Sequence, residues 1–256
     1  DFVGLPGAFN TKYFQLAEYN EGYCWFQLRE YEKAAGAFRK FTDNYRDNQE
    51  LETYYQDALI RTGDVYYMLR ENEKAIRYYA KAADNRMAGS DYAMFQKAKT
   101  YGFDQAFDDK IQELTKLINI YTESRYLAAA RYEIAEAYRI QDERTRALNF
   151  YGEVVRFHPD NVLVKPSKLA MALIHYKNKE YDKSETLYLD VLSSAPNPED
   201  CREAVDGLRD VYTAVDRIED WEDIISQSGC TGYDEGDLDT TFFTSARNLF
   251  FGNQFD

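Results

Sequence analysis

Few side chains in this sequence have the types and spacing that catalysis or metal binding demands. The only histidines are His158, directly before Pro159, and His175, at an aromatic core place in an apolar stretch, and both read as structural. Three cysteines stand at 24, 201 and 230 with no CxxC pair and no histidine at ligand spacing, which argues against zinc. Cys24 reads as a buried small hydrophobe. Cys201 opens one expected helix and Cys230 follows the next, so an antiparallel hairpin brings them to the same end, either as a disulfide or as two separate thiols. Carboxylate pairs such as Asp108-Asp109 and Asp234-Glu235 fall on expected solvated faces and loops. DEGDLD at 234–239 resembles a calcium loop but lacks the helix and closing glutamate that geometry needs. With no phosphate-cradling glycine loop and no nucleophile elbow, neither a cofactor nor a catalytic site is expected.

The elements that position these side chains are legible from one stretch. Residues 128–161, AAARYEIAEAYRIQDERTRALNFYGEVVRFHPDN, hold two apolar stripes of helical period. Ile134, Ala135 and Tyr138 form the first, Ala147, Tyr151, Val154 and Val155 the second, with a polar break between them and Pro159 after. Two helices so joined lie antiparallel, and neither buries its stripe alone. The pattern recurs: small residues Gly22, Gly63, Ala98, Ala135 and Ala172 are expected to face Ala34, Ala75, Ala147 and Ser184 on the second helices. The twentieth place of each unit falls at 34, 75, 110, 147, 184 and 224, with Lys110 in place of a small residue. Such a period means stacked helical hairpins. They are expected near 15–48, 56–86, 91–123, 125–159, 163–196 and 199–228, after an irregular lead-in at 1–14. Residues 229–256 read as a loop and the first helix of a capping or truncated seventh hairpin.

The formal charge of -14 argues against a nucleic-acid partner, whose phosphates require a basic field. Twenty-three tyrosines against 16 phenylalanines mean many rings half buried with a hydroxyl to place. No apolar run reaches the ~18 residues of a membrane span. The opening DFVGLPGAFN lacks the regions of a signal peptide, so the chain is expected to be cytoplasmic or to have lost its signal.

Small at the eighth place, aromatic at the eleventh, Tyr/Phe at the seventeenth, Ala at the twentieth, aromatic at the twenty-fourth and Pro at the thirty-second resembles the tetratricopeptide repeat. From Ala128 these are Ala135, Tyr138, Arg144, Ala147, Tyr151 and Pro159, with Arg144 the departure. From Lys165 they are Ala172, His175, Tyr181, Ser184, Tyr188 and Pro196. The resemblance covers 15–228 and implies an all-α, right-handed superhelix of about six hairpins plus a terminal helix. ESRYLAAARYEIAEAYRIQ and VVRFHPDNVLVKPSKLAMALIHYKNKEYDKS are similar in style to envelope-associated members, the BamD-like, Tol-Pal-associated and Bacteroidetes repeat proteins. That implies a periplasmic or outer-membrane-associated place, the cytoplasm being the alternative. The family implies a non-enzymatic scaffold that binds a protein or peptide segment in a groove lined by the first helices. The groove residues would be Tyr19, Tyr23, Phe26, Ile60, Asp64, Tyr67, Tyr92, Phe95, Lys99, Tyr132, Glu136, Arg139, Leu169, Leu173 and Tyr176. The Lys and Asn clamp with which some members grip a C-terminal carboxylate is absent from the matching places. An aromatic wall instead suits an extended or helical apolar-aromatic segment. A glycan-binding or nutrient-uptake accessory protein, with tyrosines stacking on sugars, is the second reading.

Overall fold

The structure, a computed structural model, describes residues 12–46, 48–194 and 197–228. Twelve α-helices and no strand occur among the described residues: α1 (Lys12–Gln27), α2 (Tyr31–Asn44), α3 (Glu52–Met68), α4 (Asn72–Asp84), α5 (Ser90–Phe103), α6 (Phe107–Ile120), α7 (Leu127–Ile140), α8 (Arg144–Phe157), α9 (Val164–Lys177), α10 (Tyr181–Ser193), α11 (Pro198–Ala214) and α12 (Ile218–Ser228). A single 3-10 turn, Gln49–Leu51, leads into α3. None of these helices is long and apolar enough to cross a membrane. The described helices gather into two compact units that divide after Ala137.

The turn between first and second helix is the same in all six hairpins. One non-glycine residue adopts the left-handed conformation: Arg29, Arg70, Gln105, Asp142, Lys179 and Asp216, with φ from 56° to 60°. In the first turn the Arg29 amide donates to the Phe26 carbonyl and the Glu30 amide to the Trp25 carbonyl. Those two bonds satisfy carbonyls that the helix end would otherwise orphan; both repeat in the next four turns, and the second of them, from the Arg217 amide to the Tyr212 carbonyl, in the sixth. The turn residues recur at intervals of 41, 35, 37, 37 and 37. The last interval corrects the sequence register of the sixth repeat by three residues. Trp221, not Ile224, stands at its twentieth place. A bulky indole occupies a position that is small in most of the other repeats, which hides the place in the sequence pattern. Trp221 is fully buried, and its Nε1 donates to the Val205 carbonyl at 3.0 Å.

In the first unit, α1 packs on α2, α3 on α4 and α5 on α6. What comes nearest to the glycines of the first two hairpins is a ring. A Cβ on Gly22 would come within 2.6 Å of the Phe38 ring, and one on Gly63 within 2.6 Å of the Tyr79 ring. In these two hairpins the second helix thus lays its aromatic twenty-fourth residue against the bare backbone of the first. Ala34 and Ala75, fully buried beside those rings, leave room for them. Burying such a ring contributes about 1.5–3 kcal/mol by area. The third hairpin uses charge instead. Lys110 is 6% exposed, its stem rests where a side chain on Gly102 would begin, and its Nζ donates to Glu133 Oε2 at 2.5 Å. Lys97 pairs with the buried Glu113 at 3.1 Å.

The second unit has its own core of Leu169, Ala172, Tyr188, Val191, Ala204, Val205, Leu208, Val211, Tyr212, Ile218 and Trp221. Here a close approach does fall where expected: Ser184 Oγ donates to the Ala172 carbonyl at 2.9 Å. His175 Nδ1 lies 2.5 Å from Glu180 Oε2 and ties α9 to its turn. Cys24 is exposed, against its expected burial, because it lies on α1 facing away from the Gly22 face that receives Phe38. Cys201 is buried in the first turn of α11, while Cys230, the DEGDLD stretch and the expected terminal helix lie outside the described residues.

Candidate binding face

On α3, Asp57, Arg61 and Asp64 follow at i, i+4 and i+7, a spacing that puts three charges on one face. Tyrosines from three other helices converge on them. Asp57 Oδ2 accepts from the Tyr19 hydroxyl at 2.8 Å and from the Tyr23 hydroxyl at 2.5 Å, both from α1. Arg61 Nε donates to the Tyr23 hydroxyl at 3.1 Å, and its Nη1 donates to Asp64 Oδ2 at 2.6 Å. Asp64 Oδ1 accepts from Tyr79 of α4 at 2.8 Å and from Tyr92 of α5 at 2.9 Å. One connected network therefore pins α1, α3, α4 and α5 in register.

Its electrostatics follow from burial. Asp64 is 9% exposed, and burial raises its carboxyl above the ordinary carboxylate range against the lowering pull of Tyr79, Arg61 and Tyr92. Burial alone would lower Arg61, but the charges of Asp64 and Asp57 outweigh it and hold the guanidinium protonated. Tyr19, Tyr79 and Tyr92 are all raised, by burial first, and then by Tyr23 and Asp57 at Tyr19 and by Asp64 at Tyr79 and Tyr92. The hydroxyls are neutral donors, fixed before anything binds.

Above this network opens a cleft of about 510 Å³. Ile60 and Arg61 line it from α3, Tyr92 from α5, Arg125 from the approach to α7, and Met87, Ala88 and Gly89 from the loop between α4 and α5. Gly89 has φ 83°, and a Cβ there would lie 2.9 Å from Ile60 Cδ1, so this loop closes on α3 only through a glycine. A second cleft of about 480 Å³ lies among Tyr67, Met68, Arg70, Asn72 and Phe103.

The expected groove residues divide accordingly. Ile60 and Tyr92 line the first cleft, and Asp64, Tyr19 and Tyr23 belong to the hydrogen-bond network that holds its walls. Tyr67 lines the second and packs on the Phe103 ring at 5.4 Å. Phe95 is buried and stacks on Tyr126 at 5.2 Å, and Phe26 lies against Tyr31 of its own hairpin. Lys99, Tyr132 and Glu136 are half-buried on α5 and α7. In the second unit, Arg139 is exposed, Tyr176 packs on the core, and Leu173 lines a separate cleft. Leu169, 2% exposed, belongs to the core and supports the wall from behind. Asp57, Arg61 and Arg125 were not expected; the first two could have been found from their common helical face on a tyrosine-rich surface.

No curated protein matches the chain in sequence. Residues 16–48 and 57–86 match the family model described as tetratricopeptide repeat. A tetratricopeptide repeat protein from Parabacteroides merdae is similar in structure, with TM-score 0.62 and 14% identity over 92% of this chain and 87% of that one. PilF of Pseudomonas aeruginosa gives TM-score 0.57 and 15% identity over 84% and 92%. The apo form of RapI gives 0.64 and 11% over 96% and 78%. Residues 16–48 and 57–86 are thus tetratricopeptide repeats, in a chain with the tetratricopeptide-repeat fold.

Proposed function

We propose that the chain is a non-catalytic scaffold that binds a segment of another polypeptide, and that the first-unit cleft seats an apolar or aromatic side chain of that segment. The observation that carries this reading is the preorganisation of the cleft. Tyr92 and Arg61 are held in place by Asp57 and Asp64, so a ligand meets walls whose side-chain entropy is already lost. Ile60, Met87 and Ala88 supply the apolar lining, and Arg125 and Thr53 supply polar groups for the segment's backbone. An envelope location is part of the proposal and is supported only by the resemblance of residues 123–141 and 154–184 to envelope-associated repeat proteins. Fractionation of the producing cell tests it, with recovery in the soluble cytoplasmic fraction counting against it.

Binding is tested by selecting displayed random dodecapeptides on the full chain and measuring the enriched peptides by fluorescence anisotropy. Enriched sequences should share an aromatic or branched aliphatic residue, and Met87→Arg, a loop change at the cleft, should weaken them at least tenfold. Peptides that bind Met87→Arg as well as the parent chain would place the contact elsewhere and defeat the proposal.

A further inference from the structure

On α3, Asp57, Ile60, Arg61, Tyr67 and Met68 fall on one helical face, as Tyr92, Lys99 and Phe103 do on α5. The cleft at Ile60 and Tyr92 and the one at Tyr67 and Phe103 therefore follow one another along the same two helices. Ile60 and Tyr67 are two turns apart and Tyr92 and Phe103 three, which separates the clefts by ~10 to 16 Å. An extended polypeptide reaches that far in about four residues, and its side chains i and i+4 point the same way about 13 Å apart. One segment can thus fill both clefts, which no single side chain could.

The charges of this groove run against those of the chain, whose formal charge is -14. In the first cleft Arg61 is committed to Asp57 and Asp64, at 3.4 and 2.6 Å. Arg125 is held differently. Its guanidinium carbon lies 4.9 Å from the centre of the Tyr126 ring, and its Nη2 donates to the Tyr126 hydroxyl at 2.6 Å. Tyr126 is fixed in turn against Phe95 and Tyr92, at ring distances of 5.2 and 5.9 Å. A guanidinium seated on rings in this way presents its charge to the cleft it lines. Lys99 stands half-buried on α5 between the clefts, and Arg70 lines the second, where Asn72 donates to Asp104 at 2.5 Å. Glu133, whose charge acts on Tyr67, is bound to Lys110. Arg61, Arg70, Lys99 and Arg125 against Asp57, Asp64 and Asp104 leave a positive balance along the groove.

We propose that the two clefts are two seats for one partner segment, extended and acidic, with apolar or aromatic side chains four places apart and carboxylates beside them that pair with Arg125 and Lys99. Lys99 lies two turns further along α5 than Tyr92, ~10 Å from the first cleft's wall, so the two cations suit side-chain carboxylates spread along the segment and not one terminal carboxylate. The proposal rests on the reading of the first cleft given above and adds to it a second anchor, a spacing and the sign of the partner's charge.

The test is fluorescence anisotropy on the full chain with three labelled dodecapeptides in a Gly-Ser background. The first carries two phenylalanines four places apart with an aspartate after each, the second has asparagines for the aspartates, and the third keeps the aspartates but only one phenylalanine. The first should bind at least tenfold more tightly than either of the others, and its margin over the asparagine probe should shrink as salt rises. Arg125→Gln with Lys99→Gln should remove that margin and leave the affinity of the asparagine probe unchanged. Equal affinity for aspartate and asparagine probes, equal affinity for one ring and two, a margin that survives in the variant, or no binding of the first probe would overturn the proposal. Probes that bind without these margins and are lost with Met87→Arg would defeat the proposal alone and leave the first cleft's reading standing. If the double variant fails to fold, the three probes and the salt series on the parent chain still decide.

Discussion

A tyrosine hydroxyl buried in a protein must find an acceptor, and an acid-rich chain supplies them. Tyr19 and Tyr23 share Asp57, Tyr79 and Tyr92 share Asp64, and Tyr212 donates to Glu185 at 2.9 Å. The surplus of both residue types in this sequence therefore has a common use. Removing one donor and removing the shared acceptor should differ in cost. Tyr79→Phe deletes one bond and should destabilise by about 1 kcal/mol, whereas Asp64→Ala strands two phenols and takes one of its two carboxylates from Arg61, and should cost about 3 kcal/mol or more. Urea titrations of both variants check the order, and equal costs would mean that the network is not shared. The phenols also set a pH dependence. Burial and carboxylates raise Tyr19, Tyr79 and Tyr92 above the ordinary value of 10.0, so unfolding above that pH releases protons that the folded chain retains. Stability from this source is complete below pH 10 and falls as pH rises beyond it. Tyrosinate absorbance followed with circular dichroism should show these phenols ionising only as the helices melt; ionisation in the folded chain would contradict their burial.

Between helices, the recurring device is a ring pressed on a glycine. At Gly63 the Tyr79 ring leaves no room for a Cβ, and displacing that ring also disturbs its hydroxyl on Asp64. Gly63→Ala should cost about 1–3 kcal/mol by overpacking, despite alanine's better helix propensity. A thermal melt showing stabilisation would mean that the ring yields freely. The hairpins were legible in the sequence because small and aromatic residues recur in phase and their types reflect this packing. Trp221 broke the code by putting an indole at a small place, which is why the sixth repeat was misplaced. The site was less legible. Ile60 and Tyr92 sit on the expected face and do line the cleft, whereas Asp57 and Arg61 show in the sequence only as charges sharing one helical face, and nothing there says which tyrosines of other helices they meet. The loop of Met87 to Gly89 lies between hairpins, outside the repeating pattern, yet it is one wall of the cleft.

For the whole molecule, the two compact units pose separate questions about partners and share one about compartment. The cysteines address the second. Cys201 is disulfide-bonded, and with Cys230 as its partner iodoacetamide under denaturing, non-reducing conditions should label one cysteine per chain, the exposed Cys24, and all three after reduction. Three labels before reduction would remove the disulfide and, with it, one reason to expect an oxidising compartment. The central claim, that the first-unit cleft grips a polypeptide, is tested most directly by photo-crosslinking in the producing cell. A benzophenone side chain at Thr53, exposed on the cleft's edge, is compared with one at Lys116, exposed on α6. The account predicts that Thr53 yields an adduct to one defined segment bearing an aromatic or aliphatic residue, absent from Lys116. The same adducts from both positions, or a glycan in place of a polypeptide at Thr53, would contradict it.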